Sequence, residues 1–123
     1  MIARRPVVLV AEDDPSVRLT LQFILEFEGF EVLFAENGVE ALAVARSSLP
    51  DLILLDQLMP RMGGKQVLGH LRGANETSEI PVFVMTGMEL DSSPEWEGVT
   101  FVGKPFDPDY LVDRIRNVLE SLN

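Results

Sequence analysis

A chain of 123 residues, 46% hydrophobic and 24% charged, is long enough to bury a core of its own and reads as a single domain over residues 1–123. Its 20 acidic against 10 basic residues give a formal charge of −10, which argues against direct nucleic-acid binding and is compatible with a cation site. The absence of cysteine excludes disulfides, thiolate metal sites and Cys nucleophiles and suits the reducing cytoplasm, and no apolar run approaches the roughly 18 residues that span a membrane.

Arg4-Arg5 and the brief apolar run behind them are too short for a signal peptide. Val7 to Ala11 is instead predicted as a first buried strand, with Glu12-Asp13-Asp14 directly after it. Asp14-Pro15 is a helix start, because Asp caps and Pro suits the first helical position. The helix is expected to run to about Glu28, with Val17, Leu21, Ile24 and Leu25 on one stripe and Gly29 as its stop. Glu31 to Ala35 is a second strand. Asn37-Gly38 turns into a second helix, expected to carry Val39, Leu42, Ala43 and Arg46 on successive turns and to end near Ser47-Ser48.

Leu52 to Leu55 is four apolar residues running into Asp56, bounded by the turn signals Pro60, Gly63 and Gly64, and is predicted as a third strand buried on both faces. Gly64 to about Arg72 is a short helix with Val67, Leu68 and Leu71 inward. Pro81 to Met85 is a fourth strand ending in Thr86-Gly87. From Met88 to Val99 the pattern is irregular, since Asp91-Ser92-Ser93-Pro94 breaks any long helix. Thr100 to Gly103 is a fifth strand leading into Lys104-Pro105, and Asp107 or Asp109 caps a last helix with Leu111, Ile115, Val118, Leu119 and Leu122 on the helical period. No repeat, low-complexity tract or linker interrupts the chain.

A βα alternation of this kind with apolar strands predicts an α/β fold, a doubly wound parallel sheet with helices on both faces. Right-handed crossovers bring all strand C-termini to one edge, where such sheets bind their ligands. That edge would carry Glu12, Asp13, Asp56, Thr86 and Lys104. Three carboxylates in one place repel one another unless a cation joins them, and Mg²⁺ takes such oxygens. Lys104 offers a point positive charge and Thr86 a hydroxyl donor to a phosphoryl group. Carboxylates, Mg²⁺ and a lysine are the equipment of phosphoryl transfer, and a carboxylate can itself be the covalent acceptor. Neither a P-loop nor GxGxxG occurs, so the phosphoryl group must come from another molecule. The plainer reading of Asp56 alone is a turn-forming acid that ends a strand.

Val8-Leu9-Val10-Ala11-Glu12-Asp13-Asp14-Pro15, Leu54-Leu55-Asp56 with Met59-Pro60 and Gly64, Thr86-Gly87 and Lys104-Pro105-Phe106 occur in this order on these elements. Together they resemble the receiver domain of two-component response regulators, and the resemblance covers Val7 to Leu122. It implies a flavodoxin-like strand order 2-1-3-4-5. It implies that Asp56 receives a phosphoryl group from a phosphohistidine on a partner histidine kinase or histidine phosphotransfer domain. Glu12, Asp13, Asp56 and the backbone carbonyl of Leu58 would hold Mg²⁺, and Lys104 would pair with the phosphoryl oxygens. Thr86 and Phe101 would form the switch read by a downstream protein partner or fused output domain.

Glu12 stands where most of the family has Asp. Leu58 and Met88, two residues beyond Asp56 and Thr86, are apolar, which predicts slow self-dephosphorylation. The stretch from Thr86 to Lys104 is several residues short for the family, so its fourth helix is expected to be short, displaced or replaced by a loop, which counts against dimerisation through that face. Trp96 is either a lid over the core or a partner surface. His70 is expected at the surface, Asp14 as a helix cap, and Glu26, Glu28, Glu36 and Glu40 as a solvated acidic face. Two other functions compete: a constitutive interaction module with this fold and no phosphorylation, and a small Mg²⁺-dependent phosphohydrolase. The phosphohydrolase usually needs a second carboxylate two residues beyond the nucleophile, where this chain has Leu58.

Overall fold

Runs such as Leu52-Ile53-Leu54-Leu55 leave no polar face for water, so the strands they form must be covered on both sides. The computed structural model describes residues 4–87 and 94–122 and builds this arrangement. Strands β1 (Val7–Ala11), β2 (Glu31–Ala35), β3 (Leu52–Asp56), β4 (Val82–Thr86) and β5 (Thr100–Gly103) alternate with helices α1 (Pro15–Phe27), α2 (Gly38–Ser48), α3 (Gly64–Arg72) and α4 (Pro108–Ser121). The five strands form one sheet in the order β2-β1-β3-β4-β5, all parallel, as expected.

Alternate residues of β1 to β4 enter two separate cores, and β5 adds Val102 to one of them. Leu9, Ile53, Leu55, Val82 and Val84 pack with Ala41, Leu42 and Ala45 of α2 and Val67, Leu68 and Leu71 of α3. On the other face Val8, Val10, Leu52, Leu54, Phe83, Met85 and Val102 pack with Leu21 and Leu25 of α1 and Leu111, Val112 and Ile115 of α4. No helix among the described residues is long and apolar enough to cross a membrane.

The helix starts follow the capping residues. Asp14 accepts from the Ser16 amide at 2.9 Å, Asn37 from Glu40 at 2.8 Å and Asp107 from Asp109 at 3.0 Å, which settles the last cap on Asp107. Gly29 ends α1 with φ of 94°, a conformation open to glycine without steric cost. β3 and β4 each run one residue past their expected ends, to Asp56 and Thr86, and β4 begins at Val82 because Pro81 has no N–H to give.

Of the four residues expected on successive turns of α2, Leu42 alone is buried. Gly38, Ala41, Leu42 and Ala45 are buried, while Val39, Ala43 and Arg46 face solvent. The helix is rotated so that Gly38 lies against Met62 in the loop after β3, so close that a Cβ on Gly38 would collide with the Met62 carbonyl. Gly38→Ala is therefore expected to cost about 1–3 kcal/mol in urea denaturation, the usual range for overpacking, and not to give the gain usual for Gly→Ala in a helix. Leu122 is also exposed, since it follows α4 and lies beyond its buried stripe of Leu111, Val112 and Ile115.

Between β4 and β5 the described residues hold only a turn of 3-10 helix, Pro94–Trp96; Met88 and Asp91-Ser92-Ser93 lie outside the described residues. Trp96 is a lid: it is buried against the α2/α3 core and meets the Phe101 ring edge-on, centroids 6.1 Å apart.

Asp51, just before β3, accepts two bonds from Arg4 (2.8 and 3.0 Å) and one from the Val7 amide (2.7 Å), tying the start of β1 to the sheet. Partial burial works against its charge, but these bonds prevail and hold its carboxyl below the usual 3.8. A depressed folded value gives stability that is present above pH 3.8 and is lost as pH falls through the folded value. Asp51→Asn is thus expected to flatten the acid limb of the stability profile below about pH 4; an unchanged limb in pH-dependent urea denaturation would exclude this role.

Candidate functional site

The C-terminal edge of the sheet is assembled from chain segments far apart in sequence. β1 ends at Ala11 and delivers Glu12 and Asp13, β3 ends in Asp56, β4 in Thr86, and β5 leads through Gly103 to Lys104. Glu12 and Asp56 are buried, at 1% and 6% exposure, and Asp13 faces solvent. One carboxylate oxygen from each of the three lies within 4.8 Å of the others. A close approach at α3 makes room for the loop after β3, because a Cβ on Gly64 would come within 3.2 Å of the Asp56 carbonyl and the Gln57 backbone.

Lys104 bridges the two buried acids, its Nζ 2.6 Å from Glu12 Oε1 and 3.3 Å from Asp56 Oδ2. Burial disfavours the ammonium, yet the hydrogen bond to Glu12 and the charges of Asp56 and Glu12 outweigh it and raise the Lys104 pKa above its ordinary 10.5. Lys104 follows a ladder bond of its own amide to the Thr86 carbonyl (2.8 Å) and precedes a cis peptide to Pro105. Asp56 Oδ1 also accepts from the Leu58 amide at 3.3 Å, whereas the Leu58 side chain is 61% exposed.

The five edge residues expected from the sequence are thus brought to one rim. Their donors to a metal are carboxylate oxygens without imidazole or thiolate, which fits a hard cation such as Mg²⁺. Thr86 donates its hydroxyl to Gln57 Oε1 at 2.7 Å. Phe101 is 42% exposed on the outer side of β5, against Trp96. Asp14 stands apart from the acid group as the cap of α1, its carboxyl held low by bonds from the Ser16 hydroxyl and amide. His70 is on the surface, as are Glu26, Glu36 and Glu40; Glu28 is less exposed and pairs with Arg116 at 3.0 Å.

Two residues at the rim escaped the sequence reading. Gln57 carried a weak signal, a polar side chain directly after the acid that ends a buried strand. Arg18 carried none, because its contacts, the Glu12 carbonyl (2.8 Å) and Glu36 (3.5 Å), join segments brought together only by folding.

The sequence model of the response regulator receiver domain matches residues 8–116. The chain is 35% identical over 116 residues to Protein PilH of Pseudomonas aeruginosa, covering 91% of this chain and 96% of that protein. It is 36% identical to the phosphate regulon transcriptional regulatory protein PhoB of Escherichia coli, covering 99% of this chain but 54% of PhoB, so it spans about half of that relative. A crystal structure of a putative response regulator from Chloroflexus aurantiacus superposes with a TM-score of 0.87 at 30% identity, over 95% of this chain and 99% of the other. With a parallel sheet of order 2-1-3-4-5, an acid cluster at its C-terminal edge and a family match over most of its length, this chain belongs to the response regulator receiver domain family.

Proposed function

We propose that the chain works as a phosphoacceptor, a single receiver domain over residues 1–123, with Asp56 as the residue modified. The observation that supports this most directly is the buried Asp56 carboxylate, held by Lys104 at the sheet edge within reach of two further acids. The donor is the phosphohistidine of a partner histidine kinase or phosphotransfer domain, which places the domain in the cytoplasm. An Asp56 carboxylate oxygen attacks phosphorus, the P–N bond breaks, and the imidazole nitrogen leaves with the electron pair and takes a proton. The product is an acyl phosphate on Asp56.

Glu12, Asp13, Asp56 and the Leu58 carbonyl would hold Mg²⁺. When bound, the cation neutralises charge on the phosphoryl oxygens, as phosphoryl transfer requires. Lys104 Nζ, already between Glu12 and Asp56, donates to a phosphoryl oxygen. Thr86 exchanges Gln57 for a phosphoryl oxygen, and Phe101 leaves the edge of Trp96 and turns inward, changing the surface offered to a downstream partner or a fused output domain.

Incubation with Mg²⁺ and acetyl phosphate, read by intact mass, tests this. The expected result is one phosphoryl adduct on the wild type and none on Asp56→Asn. A wild type without adduct and without any Mg²⁺-dependent change in Trp96 fluorescence would instead favour a constitutive interaction module.

Receiver domains are signalling modules and not enzymes, and self-dephosphorylation here is expected to be slow. The exposed Leu58 has no polar group with which to orient a water toward the acyl phosphate. Leu58→Asn is expected to shorten the lifetime of the adduct several-fold, measured by phosphate release. A wild-type lifetime of seconds without any phosphatase would refute the slow reading.

A further inference from the structure

We propose that Arg18 is a positioning residue for the acid pair, holding the Glu12–Asp13 peptide in the orientation that binds a divalent cation. This rests on the metal-binding reading of the site given above.

Arg18 lies one turn into α1, its side chain only 17% exposed, and spends its guanidinium on two partners. One nitrogen donates to the Glu12 carbonyl at 2.8 Å, and the other lies 3.5 Å from Glu36 Oε1, just after β2. The Glu12 amide itself donates to the Ala35 carbonyl at 3.0 Å. Glu12 is therefore fixed to the end of β2 at both ends of its backbone, once directly and once through Arg18. Its carboxylate is fixed separately, by Lys104 at 2.6 Å and the Asp14 amide at 3.2 Å.

The carbonyl that Arg18 holds belongs to the peptide joining Glu12 to Asp13. A peptide is planar, so a donor that fixes its oxygen also fixes the amide nitrogen and Cα of the next residue. Asp13 is the exposed member of the cluster and gains no immobilisation from burial. Arg18 thus holds the N–Cα bond about which the Asp13 side chain turns, and so narrows where its carboxylate can lie. Partners of this outer kind orient the ligands they touch, and their loss typically costs 10–100-fold in metal affinity.

Charge acts in the opposite direction. A guanidinium beside the site repels a dication, so if Arg18 acted only through its charge, removing it would strengthen Mg²⁺ binding. The two roles predict opposite signs, and a titration separates them.

The experiment is a Mg²⁺ titration of the whole chain followed by NMR of the backbone amides at the site, with thermal unfolding in parallel. Arg18→Gln is expected to bind Mg²⁺ on the order of tenfold more weakly than wild type. Arg18→Lys keeps the charge but is a single point donor that cannot span the carbonyl and Glu36 together, so binding several-fold weaker than wild type is expected for it as well. A folded Arg18→Gln that binds Mg²⁺ as tightly as wild type, or more tightly, overturns the proposal. If Arg18→Gln fails to fold, Arg18→Lys decides in the same way, and wild-type affinity in it overturns the proposal. A wild type that binds no Mg²⁺ would instead overturn the metal site itself, a failure distinct from either.

Discussion

Lys104→Met is expected to slow phosphorylation of Asp56 by a small phosphodonor about 10²–10³-fold, the loss typical for removing one preorganised donor from a developing charge. It is also expected to destabilise the resting protein. Glu12 is 1% exposed and its carboxylate sits 2.6 Å from the Lys104 ammonium, so the substitution leaves a buried charge with its main partner gone. Breaking a fully buried pair costs about 3–5 kcal/mol. Lys104 is 27% exposed and Glu12 keeps the Asp14 amide, so a loss of about 1–3 kcal/mol is expected at neutral pH.

The pH dependence has a definite sign. The Lys104 pKa is raised in the folded state, so its contribution is complete below the ordinary lysine value of 10.5 and is lost as pH rises through the folded value. Stability curves of wild type and Lys104→Met should therefore run parallel at neutral pH and converge only above pH 10.5. Urea denaturation across that range checks this, and curves that coincide at pH 7 would exclude the stabilising role.

Phe83→Ala is expected to cost about 3–5 kcal/mol, the range for removing a buried aromatic side chain. Phe83 lies on β4, is 1% exposed, and belongs to the core that joins the sheet to α1 and α4. Because the cavity would open within a sheet held by strands on both sides, the surroundings have little freedom to collapse into it. The urea midpoint should fall with the slope unchanged, and a loss below 1 kcal/mol would mean that the layer repacks.

The strands were legible because runs such as Val8-Leu9-Val10 and Leu52-Ile53-Leu54-Leu55 suit little else than a sheet covered on both faces. The cap Asp14 was legible, and the last cap was narrowed to Asp107 or Asp109, because a side chain that accepts from its own helix is a local matter. The acid cluster followed from topology, since parallel strands bring their ends to one edge whatever their separation in sequence. The rotation of α2 was not legible: Val39 is the larger apolar residue, but the contact of Gly38 with Met62 decides which side faces inward. Nor were the roles of Gln57 and Arg18, whose partners Thr86, Glu12 and Glu36 are met only in three dimensions. Trp96 had two readings until its burial against the α2/α3 core made it a lid.

β3 and β4 are buried at every position, and each is flanked by a strand on either side. Neither can slide or tilt without opening both hydrophobic layers and breaking two ladders at once. The middle of the sheet is therefore an anvil: whatever happens to the charge on Asp56, the strand that carries it stays in place, and displacement is left to the rim loops and to side chains at the strand ends and on the β5 edge. Amide exchange of Ile53, Leu54, Phe83 and Val84 should stay slow and unaltered when Asp56 is modified, while amides of the rim loops respond. A scaffold of this kind separates holding the acid from moving what surrounds it, so the rim can rearrange while the layers beneath it stay closed.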